Sequence, residues 1–147
     1  MRGETALTKV FFYHNAVERL ATAAALISKA ALQKKSMLVY APDESVASML
    51  DRLLWTHPPI GFVPHVRAPS PLAAETPVVI ADNPETSPQN ERLFNLSAEV
   101  PPGFSRFTSL IELIDQEEAT RRAGRERARF YKDRGYELQF IDLAEKN

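Results

Sequence analysis

The residues of this chain best suited to chemistry are its three histidines, His14, His57 and His65. A zinc site draws on closely spaced ligands, for example two histidines four residues apart on one helix. These histidines lack such spacing, and the chain contains no cysteine, so thiolate catalysis and disulfides are excluded. We therefore expect no metal site and no catalytic constellation, and interpret His14 and His65 as structural.

The positions of the glycines argue against a nucleotide-binding site. A phosphate-binding loop needs glycines so that the backbone can approach the phosphates. The first predicted strand-to-helix turn, His14-Asn15-Ala16, contains none, and the five glycines of the chain form neither a Gly-x-Gly-x-x-Gly nor a Walker motif. We expect no cofactor. An α/β enzyme that depends on nucleotide or processes nucleic acid remains the alternative function.

The segment from Asp51 to His65 favours docking over catalysis. It contains the only tryptophan, Trp55, and a proline-rich stretch around Phe62. Large aromatic side chains on a loop stiffened by prolines can bind a partner at low ordering cost. Trp55 is equally compatible with a core position, as the last buried residue of the predicted helix. Phe62 follows a glycine in a proline-rich loop, and this context favours a position at an interface.

A basic run occupies the C-terminal part of the chain, although the formal net charge is only −1. Four of its side chains, spaced four, four and three residues apart, project from one face of a predicted helix: Arg121, Arg125, Arg129 and Lys132. Phe130 and Tyr131 are expected to add aromatic surface. Such a face suits an acidic peptide with a hydrophobic end. A solvated face or direct DNA binding are the alternatives, and the acidic stretch before the helix opposes the latter.

Several motifs together resemble the chi subunit of bacterial DNA polymerase III. They are the Leu-Trp-Thr and Phe-x-Pro-His elements that end at His65, the strand Lys9–His14, the segment Leu93–Pro101, and the helix and turn from Arg125 to Tyr136. Each motif is weak alone, but their shared order over about 130 residues is specific.

The resemblance implies a noncatalytic adaptor with two partners. It implies that Trp55, Phe62, Val63 and Pro64 bind the psi subunit, which links chi to the clamp loader. It also implies that Arg125, Arg129, Lys132 and Tyr131 bind the acidic C-terminal tail of single-stranded DNA-binding protein, which ends in Ile-Pro-Phe. Ala128 stands where some members carry a tyrosine, so an aromatic wall of the pocket is either missing or supplied by Tyr131 or another segment.

The pattern of elements predicts the architecture that carries these surfaces. Strands are expected at 8–13, 37–41, 78–81, 93–96, 109–114 and 137–141, and helices after Asn15, from Pro42 to Leu54 and from Gln116 to Arg134. Asn15 and Glu18 resemble a capping box. This order predicts a three-layer α/β/α sandwich with a mainly parallel sheet.

Length and composition set the broad class. At 147 residues the chain is expected to form a single domain, residues 1–147. The N-terminus lacks the apolar region of a signal peptide, and no run approaches the ~20 apolar residues of a membrane helix. We expect a soluble cytoplasmic protein without sequence-specific DNA binding.

Overall fold

The computed structural model describes residues 7–33, 35–56, 65–68, 76–86 and 90–144. Its seven strands are β1 (Lys9–Ala16), β2 (Met37–Tyr40), β3 (His65–Arg67), β4 (Val78–Ala81), β5 (Arg92–Asn95), β6 (Ser109–Asp115) and β7 (Leu138–Asp142). Its three helices are α1 (Arg19–Leu32), α2 (Glu44–Thr56) and α3 (Glu118–Asp133).

The strands form one sheet in the order β3-β4-β2-β5-β6-β1-β7, and each pair of neighbours is parallel. The interior strands β2 and β4 are apolar and buried at every position, as expected for strands covered on both faces. The predicted α/β sandwich with a mainly parallel sheet is confirmed. β7 and β3 lie at the two edges of the sheet.

Helices cover both faces of the sheet. α1 and α2 pack on one face around Ile27 and Leu50, against side chains such as Val39. α3 packs on the opposite face, where Tyr131 joins Phe12 and other strand residues in a second core. Alternate residues of one strand enter opposite cores because successive side chains point to opposite sides of a sheet.

The predicted element positions are confirmed to within a few residues, but the predicted start of α1 is wrong. Glu18 is the N-cap of α1, and its side chain accepts a hydrogen bond from the Ala21 amide at 2.8 Å. Asn15 instead has a φ of 68° and donates to Asp142 Oδ1 at 2.8 Å. Asparagine tolerates this left-handed backbone. Through its hydrogen bond to Asp142, Asn15 links the ends of β1 and β7 and does not cap the helix.

The edge strand β3 was not predicted, because prolines surround it in sequence. His65 pairs with Val78 of β4, which extends the sheet by one short parallel strand. No helix within the described ranges is both long and apolar enough to cross a membrane.

Candidate protein-docking surfaces

The basic stripe of α3 faces solvent. Arg121, Arg125, Arg129 and Lys132 are exposed, as their spacing predicts. Beside the stripe, α3 lies close to the sheet at Gly124, where a Cβ atom would lie 2.5 Å from Ile114 Cδ1. The absence of a side chain at this position lets the helix approach β6, which leaves the basic stripe beside the sheet edge.

A groove lies between α3 and β7. One part, with a volume of about 350 Å³, is lined by Phe12, His14, Ile114, Arg121, Gly124, Arg125, Ala128 and Phe140. The other part, of about 700 Å³, is lined by Ala128, Arg129, Lys132, Asp133, Tyr136, Leu138 and Phe140. We call these two parts together the α3–β7 groove. Its inner surface is largely apolar, and its rim on the α3 side carries the four cations of the stripe.

Phe140 lines both parts of the groove and was not singled out from the sequence. Its side chain is 59% exposed and stacks on Phe12 with ring centroids 5.4 Å apart. Ala128 faces it across the groove and leaves room there. The sequence signal was an aromatic residue directly after a polar one, Gln139, in the predicted edge strand 137–141. Its relation to α3 depends on the packing of β7 against β1.

The prediction that Tyr131 forms part of a peptide-binding surface is wrong. Its side chain is fully buried, and its hydroxyl donates to Glu112 Oε2 at 2.6 Å. Phe130 lines neither part of the groove and lies under the Arg134 guanidinium, 3.6 Å from the ring centroid. The aromatic wall of the α3–β7 groove therefore comes from β7, through Phe140, rather than from α3.

A buried polar cluster lies beneath α3. Glu112 of β6 is fully buried, and its carboxylate accepts hydrogen bonds from Arg127 Nε at 3.1 Å and from Tyr131 Oη. Asn95 Nδ2 lies 3.1 Å from both Glu112 oxygens, and Arg127 Nη1 donates to the Ala98 carbonyl at 2.9 Å. Arg127 belongs to the basic run in sequence but not to the exposed stripe. A carboxylate inside the apolar strand β6 was the sequence signal that a buried cation was required.

The cluster shifts the ionisation of its members. Burial raises the pKa of the Glu112 carboxyl, while the Arg127 charge and the Tyr131 hydrogen bond act in the opposite direction. Burial also raises the pKa of the Tyr131 hydroxyl, and the Glu112 carboxylate adds to this effect. The Tyr131 hydroxyl is therefore held in its protonated, donating form.

Near its start, the exposed stripe is opposed by the acidic residue Glu118. Arg125 Nη2 lies 3.2 Å from Glu118 Oε2, and both side chains are exposed. An exposed ion pair of this kind contributes little, because solvent screens it and two long side chains must be ordered. Arg125 can therefore exchange Glu118 for the carboxylate of a ligand at small cost.

Two large apolar side chains of α2 are also exposed, near the opposite edge of the sheet. Trp55 and Met49 are each 52% exposed, on different sides of the helix. The Trp55 ring packs against His65, with centroids 5.2 Å apart, and His65 Nε2 lies 2.8 Å from Asp51 Oδ1. The contact with Asp51 joins the start of β3 to α2, which agrees with the structural role predicted for His65. Phe62, Val63 and Pro64 lie outside the described residues.

The chemical composition of the α3–β7 groove suits binding. Across the part of the chain that the structure describes, no group of three or more His, Cys, Asp or Glu side chains is arranged to hold a metal ion. The groove offers four cations, aromatic rings, one histidine, His14, and one carboxylate, Asp133. This set of side chains suits the binding of an anionic group beside an apolar one.

Residues 7–139 match the family model for the DNA polymerase III chi subunit, HolC. The chain belongs to the chi subunit family. It is 34% identical over 137 residues to the DNA polymerase III subunit chi of Pseudomonas aeruginosa, covering 90% of this chain and 95% of that relative. It is 30% identical over 105 residues to the Escherichia coli protein of the same name, covering 71% of each chain.

A solved structure supports the fold of this chi-family chain. T4 UvsW superposes with a TM-score of 0.70 at 9% sequence identity, and the match covers 95% of this chain and 42% of that chain. At this identity the likeness concerns the fold alone. The resemblance to the chi subunit that the sequence motifs indicated is confirmed by the family match.

Proposed function

We propose that this chi-family chain is a noncatalytic adaptor of DNA polymerase III. One surface would bind the psi subunit of the clamp-loader complex, and the other would bind the C-terminal tail of single-stranded DNA-binding protein. The α3–β7 groove carries this proposal, because it places four cations beside an apolar wall formed by Phe140.

The composition of the tail matches that groove. Arg125, Arg129 and Lys132 would attract its acidic residues, and a guanidinium can hold the terminal carboxylate through two parallel hydrogen bonds. The final phenylalanine would enter the space between Ala128 and Phe140. Aromatic rings prefer offset or edge-to-face contact, which Phe140 can offer with its exposed face. Tyr131 contributes indirectly, by holding α3 from within the core.

The α2 surface supports the psi contact. Trp55 is exposed despite being the largest side chain of the helix, and such residues commonly anchor interfaces. Its contact with His65 restrains the ring before a partner arrives, which reduces the ordering cost of binding. We propose that Phe62, Val63 and Pro64 extend this surface, as the family resemblance implies.

Tethering explains how a weak tail contact becomes useful. A protein coating single-stranded DNA presents many tails, and an adaptor fixed to the polymerase assembly would meet them at high effective concentration. No chemical step is required of the adaptor, since its contribution is to keep two assemblies close together.

The test is fluorescence anisotropy with a labelled acidic peptide that ends in Ile-Pro-Phe. We expect saturable binding that weakens as salt rises and that largely disappears when the final phenylalanine is removed. Unlabelled single-stranded DNA serves as the competitor. If removal of the phenylalanine has no effect and DNA competes as well as the peptide, the groove is a DNA contact.

The psi contact is tested separately by calorimetric titration with purified psi. Trp55→Ala and Phe62→Ala should each weaken binding, by about 2 kcal/mol or roughly thirtyfold for a central anchor. Circular dichroism of each variant checks the fold. Unchanged affinity in a folded variant would remove that residue from the interface.

A further inference from the structure

The buried cluster of Glu112, Arg127 and Tyr131 connects the core to the groove. We propose that these three residues set the rotation of α3 about its own axis, and thereby position the basic stripe along the α3–β7 groove. This inference rests on the proposed tail-binding function where it concerns affinity, but the rotation of α3 can be measured without any ligand.

The apolar contacts of α3 are few and centre on Gly124 and Tyr131. Nine of its sixteen residues are charged, so little apolar surface is available for burial. Several positions that turn toward the sheet are small, namely Ala123, Gly124 and Ala128. Small side chains give little shape complementarity, so the rotation of α3 depends on a few contacts. These are the Gly124 contact with Ile114, the packing of the Tyr131 ring on Phe12 and Phe104, and the polar contacts of the cluster.

The polar contacts are directional and supply what the small side chains lack. Arg127 and Tyr131 lie four residues apart, on one side of α3, and both donate to the same Glu112 carboxylate. A shift by one residue turns a helix by about 100° and would remove both donors from reach. The Arg127 contact with the Ala98 carbonyl adds a second fixed point, on the segment that follows β5.

The same rotation decides where the exposed cations lie. Arg125 and Arg129 flank Arg127 at two residues on either side, so they point away from the core when Arg127 points into it. Ala128 then faces Phe140 across the groove. A rotated α3 would carry charged side chains to the position of Ala128 and would separate the stripe from the aromatic wall.

The contribution to stability and the contribution to position can be separated by experiment. A buried ion pair often gives no more stability than apolar residues of similar volume, and its best-attested role is to specify register. Replacing the whole cluster by apolar residues should therefore preserve the fold but loosen the placement of α3. Removing only Glu112 or only Arg127 would leave the opposite charge buried without its ion-pair partner. The resulting loss of stability would then be mixed with any change in the position of α3.

The experiment combines Glu112→Leu, Arg127→Met and Tyr131→Phe in the full chain. The chain has no cysteine, so Leu32→Cys on α1 and Glu126→Cys on α3 provide two exposed sites for spin labels. We expect a broader or shifted label-to-label distance distribution in the apolar variant, with a melting temperature equal to or above that of the parent. Without the labels, tail affinity should fall by at least about fivefold. An unchanged distance distribution would overturn the proposal.

Two further variants complete the design. Tyr131→Phe removes one donor at constant shape, and it should broaden the distribution even if the triple variant fails to fold. An unchanged distribution in this single variant would also overturn the proposal. Thr8→Val removes a different buried hydrogen bond, to the Phe107 carbonyl at 2.6 Å, and should leave the distances and tail affinity unchanged. Failure of the parent protein to bind the tail would reject the proposed function, while the distance measurement still decides the role of the cluster.

Discussion

At the scale of single residues, the α3–β7 groove combines two kinds of side chain with separable effects. Arg129 and Lys132 bring charge that acts at a distance and is weakened by salt. Phe140 brings contact area that acts only on a ligand seated beside it. The residues of the groove can therefore be distinguished by the salt dependence of their variants.

The first prediction concerns Arg129, which lines the groove on the α3 side. Arg129→Glu should weaken binding of the acidic tail by about tenfold at low salt, with a smaller effect at high salt because the Debye length shortens. Fluorescence anisotropy across a salt series measures both quantities. Arg122→Glu is the matched control, since Arg122 is exposed on the same helix but lines neither part of the groove. Equal losses in the two variants would show a nonspecific charge effect.

The second prediction concerns Phe140. Phe140→Ala should reduce tail affinity by about 2 kcal/mol, roughly thirtyfold, because the ligand loses its aromatic wall. The melting temperature should change little, since most of this side chain is exposed. Calorimetric titration and thermal unfolding measure the two effects. Gln139→Ala, at the neighbouring exposed position, should retain parental affinity. If the tail binds Phe140→Ala as tightly as it binds the parent, Phe140 does not form the aromatic wall of the binding site.

At the scale of elements, α2 and the short strand β3 are joined at the surface. Arg67 of β3 holds Glu44 of α2 through two hydrogen bonds, Nη2 to Oε1 at 2.7 Å and Nη1 to Oε2 at 3.1 Å. A strand of three residues at a sheet edge has few ladder bonds, so this bidentate contact and the His65 contact with Asp51 help to hold it. Both contacts lie between α2, which carries Trp55, and β3, and they keep the proposed psi surface in place.

The third prediction follows from the ionisation of Glu44. Hydrogen bonds from Arg67 and Ser48, together with the Arg67 charge, lower the pKa of Glu44 to about 2. A folded pKa below the unfolded value of 4.5 gives stability that is present above about pH 4.5 and is lost as pH falls toward 2. Parent and Glu44→Gln should therefore differ in free energy of unfolding at neutral pH and converge near pH 2. Urea titrations from pH 7 to 2 test this, and a constant difference would contradict it.

At the scale of the whole molecule, the two proposed docking surfaces lie at opposite edges of the sheet. Trp55 lies beside β3, and Phe140 belongs to β7, with five strands between these edges. Six spacings of about 4.8 Å place the edges about 29 Å apart. This distance is several Debye lengths at physiological salt, so charge on one partner is screened from the other.

The fourth prediction is therefore independent binding. Tail affinity measured with and without saturating psi should agree within experimental error, because the described residues of the two surfaces lie at opposite edges of the sheet and none is shared. Calorimetric titration of the tail into free chain and into the psi complex provides the comparison. Competition between the two partners would place them on one surface and reject the adaptor arrangement.

The fifth prediction addresses the proposal that residues 1–147 form one domain. One sheet lies between the two cores and contributes side chains to both, so heat should unfold the chain in a single cooperative transition. The calorimetric and van't Hoff enthalpies should then be equal. Two resolved transitions would show that the chain contains separable units.

Much of the fold follows from local patterns that a sequence displays directly. The uniformly apolar strands β2 and β4 are short and flanked by polar or turn residues, which distinguishes them from helices. The basic stripe follows in the same way, since the spacing of Arg121, Arg125 and Arg129 determines that they share a helix face. The family resemblance depends on the order of such motifs and was confirmed by the family match. The roles of Phe62, Val63 and Pro64 stay predictions.

Tertiary packing decided which aromatic residues line the α3–β7 groove. Tyr131 belongs to the basic run in sequence and Phe140 does not, yet Tyr131 is buried on Glu112 and Phe140 is exposed in the groove. The spacing along α3 shows which residues share a face but not which face meets the sheet. That choice arises from long-range contacts, namely the buried carboxylate of β6 and the pairing of β7 with β1. The sequence therefore determined the layers and the charge of the α3–β7 groove, while the shape and aromatic wall of the groove required the packed structure.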